Sequence, residues 1–129
     1  MNQGVPTDRL YARTHVWARR EGADLVRVGL THVPGSYLGD AVYVELPPPG
    51  TEIASGEPIG LVESSSAVCE VVSPVSGSVV EINPVAEQSP ETITADPYGG
   101  GWLLVVRPAD SAGTDSLLSP EAYDNIAGE

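Results

Sequence analysis

Short apolar runs separated by glycine and proline follow one another along nearly the whole chain. Residues 11–19 read as a strand that ends in a polar turn at Glu21-Gly22-Ala23-Asp24. Leu25-Val26-Arg27-Val28 alternates apolar residues with Arg27 and returns as the hairpin partner. Thr31 is placed to cap a helical turn over 32–38, with Pro34 inside the first turn and Gly39 ending it. Further strands are expected at 41–46, 59–63, 67–73, 78–83 and 102–107, and Ser119-Pro120 opens a short terminal helix over 120–126. With 14 glycines and 12 prolines punctuating these runs, the pattern predicts an all-β sandwich or barrel.

Gly39-Asp40-Ala41-Val42-Tyr43-Val44-Glu45-Leu46-Pro47 resembles Gly77-Ser78-Val79-Val80-Glu81-Ile82-Asn83-Pro84, a glycine followed by aliphatic residues and a proline. Two such segments suit two strand sets wrapped about a quasi-twofold axis. Any two strands that open after glycine share this look, so both readings stand.

At 129 residues the chain is long enough for one core, expected at 10–127 after an N-terminal extension over 1–9. No apolar run approaches the roughly 20 residues that span a bilayer. The N-terminal residues Met1-Asn2-Gln3-Gly4-Val5-Pro6 have neither the basic nor the apolar segment of a secretory signal, so a cytoplasmic location is expected. Six basic residues against 18 acidic ones give a net charge of −12. That charge argues against nucleic acid and against an anionic membrane surface. It suits protein partners with basic docking surfaces, and it also simply keeps a protein in solution. A single cysteine, Cys69, excludes an internal disulfide and a paired-cysteine zinc site.

Glu63-Ser64-Ser65-Ser66-Ala67 lies between two valine-rich runs, Ile59-Gly60-Leu61-Val62 and Val68-Cys69-Glu70-Val71-Val72, and so reads as the tip of a β-hairpin. Around it stand Tyr11-Ala12-Arg13-Thr14-His15-Val16-Trp17, Val28-Gly29-Leu30-Thr31 and Leu38-Gly39-Asp40, then the strand through Pro47 and Gly50. Ser73-Pro74-Val75-Ser76-Gly77, Ser89-Pro90, Asp96-Pro97-Tyr98-Gly99-Gly100-Gly101-Trp102 and Leu117-Leu118-Ser119 follow in order. In this order and spacing the chain resembles the H protein of the glycine cleavage system from about Tyr11 to Tyr123. The resemblance implies a lipoyl/biotinyl-type hybrid barrel-sandwich of two antiparallel sheets with short helices, one of them C-terminal. It also implies a non-enzymatic carrier whose lipoyl group, on a tip lysine, moves an aminomethyl group from a pyridoxal-phosphate decarboxylase to a tetrahydrofolate-dependent aminomethyltransferase. The cofactor supplies that chemistry, and the protein supplies presentation and docking.

The family pattern at the tip is Glu-Ser-x-Lys-Ala. Glu63, Ser64 and Ala67 match it, Ser65 fills the variable place, and Ser66 stands where the lysine belongs. The basic residues are Arg9, Arg13, Arg19, Arg20, Arg27 and Arg107, so none of the 129 residues is a lysine and no lipoate on lysine is expected. Val16 replaces the glutamate of the family's His-Glu-Trp, and Glu70 stands where aspartate is usual. The resemblance makes His15, Val16 and Glu70 the candidates for the cleft that shelters a loaded arm. Valine holds no ammonium by charge or hydrogen bond.

Ser66 lacks the flanking residues of a phosphopantetheine attachment site and reads as a solvated turn serine. Strand alternation puts Cys69 opposite Glu70, hence toward the core as a small hydrophobe, while its nearness to the tip keeps a thioester or mixed-disulfide role in view. His15 and His32 join no nucleophile elbow, so His15 is expected to pack beside Trp17. The acidic residues lack metal-loop spacing. Asp96-Pro97-Tyr98 before three glycines reads as a turn. Three functions follow. One is a docking or scaffold protein for a pyridoxal-phosphate or one-carbon-transfer enzyme. The others are a lipoyl carrier whose lysine was substituted, and a carrier charged on Ser66 or Cys69.

Overall fold

A computed structural model of the chain describes residues 4–22, 24–110 and 113–127. Met1, Asn2, Gln3 and the Ala23 of the expected first turn lie outside the described residues. The elements run β1 (Leu10–Ala12), β2 (Val16–Glu21), β3 (Leu25–Leu30), α1 (His32–Leu38), β4 (Ala41–Glu45), β5 (Glu52–Ile53) and β6 (Pro58–Ser64). They continue with β7 (Val68–Val72), β8 (Gly77–Ile82), α2 (Pro84–Gln88), α3 (Glu91–Ala95), β9 (Leu104–Pro108) and α4 (Pro120–Ala127). Every strand pairing is antiparallel. Six strands form one sheet in the order β1-β2-β3-β9-β8-β5, and β4-β6-β7 form the other.

Val16, Ala18, Val26, Val28, Leu30, Val62, Val71, Leu104 and Val106 meet in the main core. The other face of the large sheet carries a second cluster of Val5, Tyr11, Trp17 and Tyr123, closed by the N-terminal segment and α4. Both faces of β2 are therefore covered. The segment 5–9 packs onto the body: Val5 and Arg9 are buried, and the Tyr11 hydroxyl donates to Pro6 O at 2.6 Å. The Arg9 guanidinium lies 4.5 Å from the Trp17 ring centre, a desolvated cation–π contact.

Several elements differ from the pattern's prediction. The single strand expected over 11–19 is two strands, because the His15 amide donates to Ala12 O at 3.1 Å and closes a turn with φ 70° at His15. Two helices, α2 and α3, and the two-residue strand β5 fill stretches with no predicted element. In α2 the Asn83 side chain accepts from the Val85 amide at 3.0 Å, an ordinary N-cap ahead of Pro84. The resemblance between the two glycine-led segments has a structural counterpart. Both strands shift register at the second residue beyond Asp40 or Ser78, leaving Val42 and Val80 exposed beside the buried Ala41 and Val79. A bulge of this kind turns one side chain out of the alternation.

Gly29 pairs with Trp17 across β2 and β3, and a Cβ at this position would come within 2.5 Å of the indole. Gly29→Ala is expected to cost about 1–3 kcal/mol of unfolding free energy through overpacking, read from the urea midpoint at unchanged slope.

Candidate functional site

β6 is the middle strand of the small sheet, and its register sorts the side chains into two faces. Val44, Val62 and Cys69 lie in one row and join the core. The neighbouring rows, Tyr43–Glu63–Val68 and Glu45–Leu61–Glu70, therefore face outward. A Cβ on Gly60 would run into Glu45 O, so only glycine allows β4 to approach β6 this closely. β6 and β7 end in a turn that Ser64 organises. The Ser64 amide donates to Ala67 O at 2.9 Å, and the Ser64 hydroxyl oxygen accepts from the Ala67 and Ser66 amides at 3.1 and 3.3 Å. This side chain–backbone turn leaves Ser65 and Ser66 exposed at the apex, with Glu63 and Ala67 partly covered below them.

The remaining candidates separate. Cys69 is buried and faces the core, as alternation predicts, and its thiol lies against Tyr37. Partial burial, then the contact with Cys69, pushes the Tyr37 phenol up to about 12. Glu70 is exposed on the outer face of β7. Val16 is a correction. It is fully buried in the core between the sheets, so it packs the interior and lines no open cleft, because β2 is covered on both sides. His15 and Val16 belong to the large sheet's end, whereas Glu70 and the tip belong to the small sheet.

His15 is held by Tyr123, which shares a cluster with Trp17: Nδ1 lies 2.6 Å from the Tyr123 hydroxyl, which lies 2.7 Å from Thr31 Oγ1. Thr31 Oγ1 accepts from the Val33 amide, as the cap of α1. One assignment satisfies all of these groups: Thr31 donates to Tyr123, and Tyr123 donates to a neutral His15. His32 Nδ1 lies 2.7 Å from the Tyr98 hydroxyl, and the Asp96 turn is closed by Gly99 and Gly101 amides on Asp96 O. Both histidines thus brace loops. No group of three or more His, Cys, Asp or Glu able to hold a metal occurs among the described residues.

Charge is distributed unevenly. From Arg27 to Arg107 there is no arginine or lysine, while that stretch holds Asp40, Glu45, Glu63, Glu70 and six further carboxylates. The arginines Arg9, Arg19, Arg20, Arg27 and Arg107 stand on or beside the large sheet. The pattern of the chain did not single out Tyr37, Val42, Tyr43 and Val68, four exposed apolar residues of the elements around the tip. Their signal was present in Tyr43 and Val68, apolar residues out of phase with the core positions Val44 and Cys69.

A two-sheet β-sandwich that holds up an ordered, exposed hairpin tip is the architecture of a carrier domain. The family model for the glycine cleavage H-protein matches residues 9–129. The glycine cleavage system H protein of Rubrobacter xylanophilus is 50% identical over 119 residues, covering 92% of this chain and 91% of that protein. The one from Anaeromyxobacter is 44% identical over 125 residues, 97% of each. The crystal structure of the glycine cleavage system H protein from Mycobacterium marinum superposes with a TM-score of 0.88 at 39% identity, covering 97% of this chain and all of that one. The chain belongs to the glycine cleavage H-protein family, whose members are lipoate carriers that act with partner enzymes and are not themselves catalysts. None of the described helices is long and apolar enough to cross a membrane.

The bracing of His15 has a pH consequence. Burial, and secondarily the charge of His32, holds the His15 imidazole below its ordinary 6.5. As pH falls through 6.5 the unfolded chain takes up this proton first, so stability declines from there down to the folded-state value and is level below it. A hydrogen bond from Arg9 holds Asp8 below 3.8. Glu21, despite a desolvation that would raise it, is held below 4.5 by Arg19 and Arg27. Stability tied to these two carboxylates is therefore lost only at more acid pH. Urea unfolding is expected to show stability declining as pH falls below 6.5 in the parent protein and a smaller decline in His15→Asn, a residue that tolerates positive φ.

Proposed function

We propose that this chain is an H-protein-family member that docks with a pyridoxal-phosphate decarboxylase or a one-carbon-transfer enzyme and carries no lipoate. The observation behind this reading is Ser66. It occupies the exposed apex of an otherwise intact carrier hairpin, in a sequence with no lysine at any of its 129 positions. A lipoyl amide needs an amine, and a serine hydroxyl offers none. Cys69 is a poor substitute because its sulfur faces the core. What the fold retains is presentation: the Ser64-braced turn, the acidic small sheet and the exposed apolar residues beside the tip. The protein works in the soluble phase with protein partners, without nucleic acid and without a membrane surface, consistent with its net charge of −12.

Intact-protein mass spectrometry on material purified from the source organism tests the reading. The expected mass is that of the unmodified polypeptide under every growth condition. A lipoyl or other acyl adduct, mapped to Ser66 or Cys69, would restore the carrier role and contradict it.

A further inference from the structure

Among the described residues six large apolar side chains are exposed, and four belong to the elements around the tip. Tyr43 and Val68, 48% and 54% exposed, flank Glu63 in one row across the outer face. Val42, 60% exposed, is turned out by the bulge one residue from Ala41, the partner of Ser64. Tyr37, 51% exposed, comes off α1 onto Cys69, on the face of β7 opposite Val68. Adjacent strands lie about 4.8 Å apart, so Tyr43 and Val68 stand one strand to either side of Glu63, the residue before Ser64. Together the four form an apolar collar beneath Ser65 and Ser66, with Glu63 and Glu70 as charged groups on the outer face and no arginine or lysine on the three strands.

A second copy of this chain does not suit the collar. An isologous pairing would place Glu63 and Glu70 of one copy near the same carboxylates of the other. Anionic lipid is repelled for the same reason. The complementary occupant is a protein cavity whose mouth is apolar for the collar and rimmed by arginine or lysine for the carboxylates. Because Tyr43 and Val68 flank Glu63 and Val42 follows the partner of Ser64, whatever covers them also receives the tip.

We propose that the collar of Tyr37, Val42, Tyr43 and Val68 seats the basic, apolar-lined mouth of an enzyme cavity, so that the armless tip occludes it and competes with a lipoylated carrier. This rests on the docking reading above and adds the surface and its consequence. Docking energy comes from the collar and the charges, neither of which needs an arm, whereas turnover needs the arm. The bound state is therefore unproductive.

The test uses the full chain with the pyridoxal-phosphate glycine decarboxylase and the aminomethyltransferase of the same organism, each in turn, and a lipoylated H protein as the varied substrate. Adding the chain is expected to raise the apparent KM for the lipoylated protein at unchanged kcat. Tyr43→Ser combined with Val68→Ser is expected to weaken inhibition by about tenfold or more, as for buried interface anchors. Glu63→Gln with Glu70→Gln is expected to slow association and flatten its salt dependence. All four positions lie on the outer face of the small sheet, and circular dichroism with urea unfolding confirms that the variants fold. Binding and inhibition untouched by both pairs would overturn the collar and leave the docking reading standing. Binding without a rise in KM would overturn occlusion alone. A dimer that the collar variants dissolve would replace the enzyme by a second copy. Absence of binding to either enzyme would overturn both readings.

Discussion

The small sheet has room for only one register, and that register decides what its tip can present. Val62 and Cys69 are directly paired and both buried, with Val44 completing the row from the other side. A slip of one residue on β6 or β7 would push this row into water and bring Glu63 or Glu70 into the core. Burying a valine contributes about 1.5–3 kcal/mol, and an unpaired buried carboxylate costs more than that returns. With the row pinned, β6 must end at Ser64 and β7 must begin at Val68, and the intervening turn must carry Ser65 and Ser66 outward. The geometry of a carrier tip is thus a consequence of core packing and does not depend on which residue stands at position 66.

The two sheets divide the remaining work. The large one is braced on its outer face by aromatic stacking: Tyr11 and Tyr123 lie 4.9 Å apart, and Arg9 rests on Trp17. Arg19 and Arg27 are tied up there with Glu21. The small one keeps carboxylates and exposed apolar side chains with no cation on its strands. Such a separation of charge orients an approaching basic surface toward the tip end before any contact forms.

The hairpin, the outward apex and the inward Cys69 were legible in the residues because each follows from local alternation and a polar turn. The break between β1 and β2 was not, since it depends on His15 adopting a positive φ within an otherwise strand-like run. β5 has two residues and exists through pairing with β8, a contact that no local pattern announces. Val16 was assigned to a cleft only by the resemblance, through the glutamate it replaces. In the folded chain it packs into the core between the sheets, while Trp17 on the opposite face of β2 lies under the N-terminal segment and α4, so both are buried. The collar escaped notice because the bulge that exposes Val42 and the approach of Tyr37 to Cys69 arise only in the folded chain.

The central claim is that the hairpin keeps the shape of a carrier tip and lacks only the chemistry at its apex. In vitro lipoylation with a lipoate–protein ligase measures both halves in one experiment on the parent chain and on Ser66→Lys. The account predicts that the variant accepts one lipoyl group and the parent none. Modification of the parent, or a folded Ser66→Lys that the ligase does not modify, would contradict it.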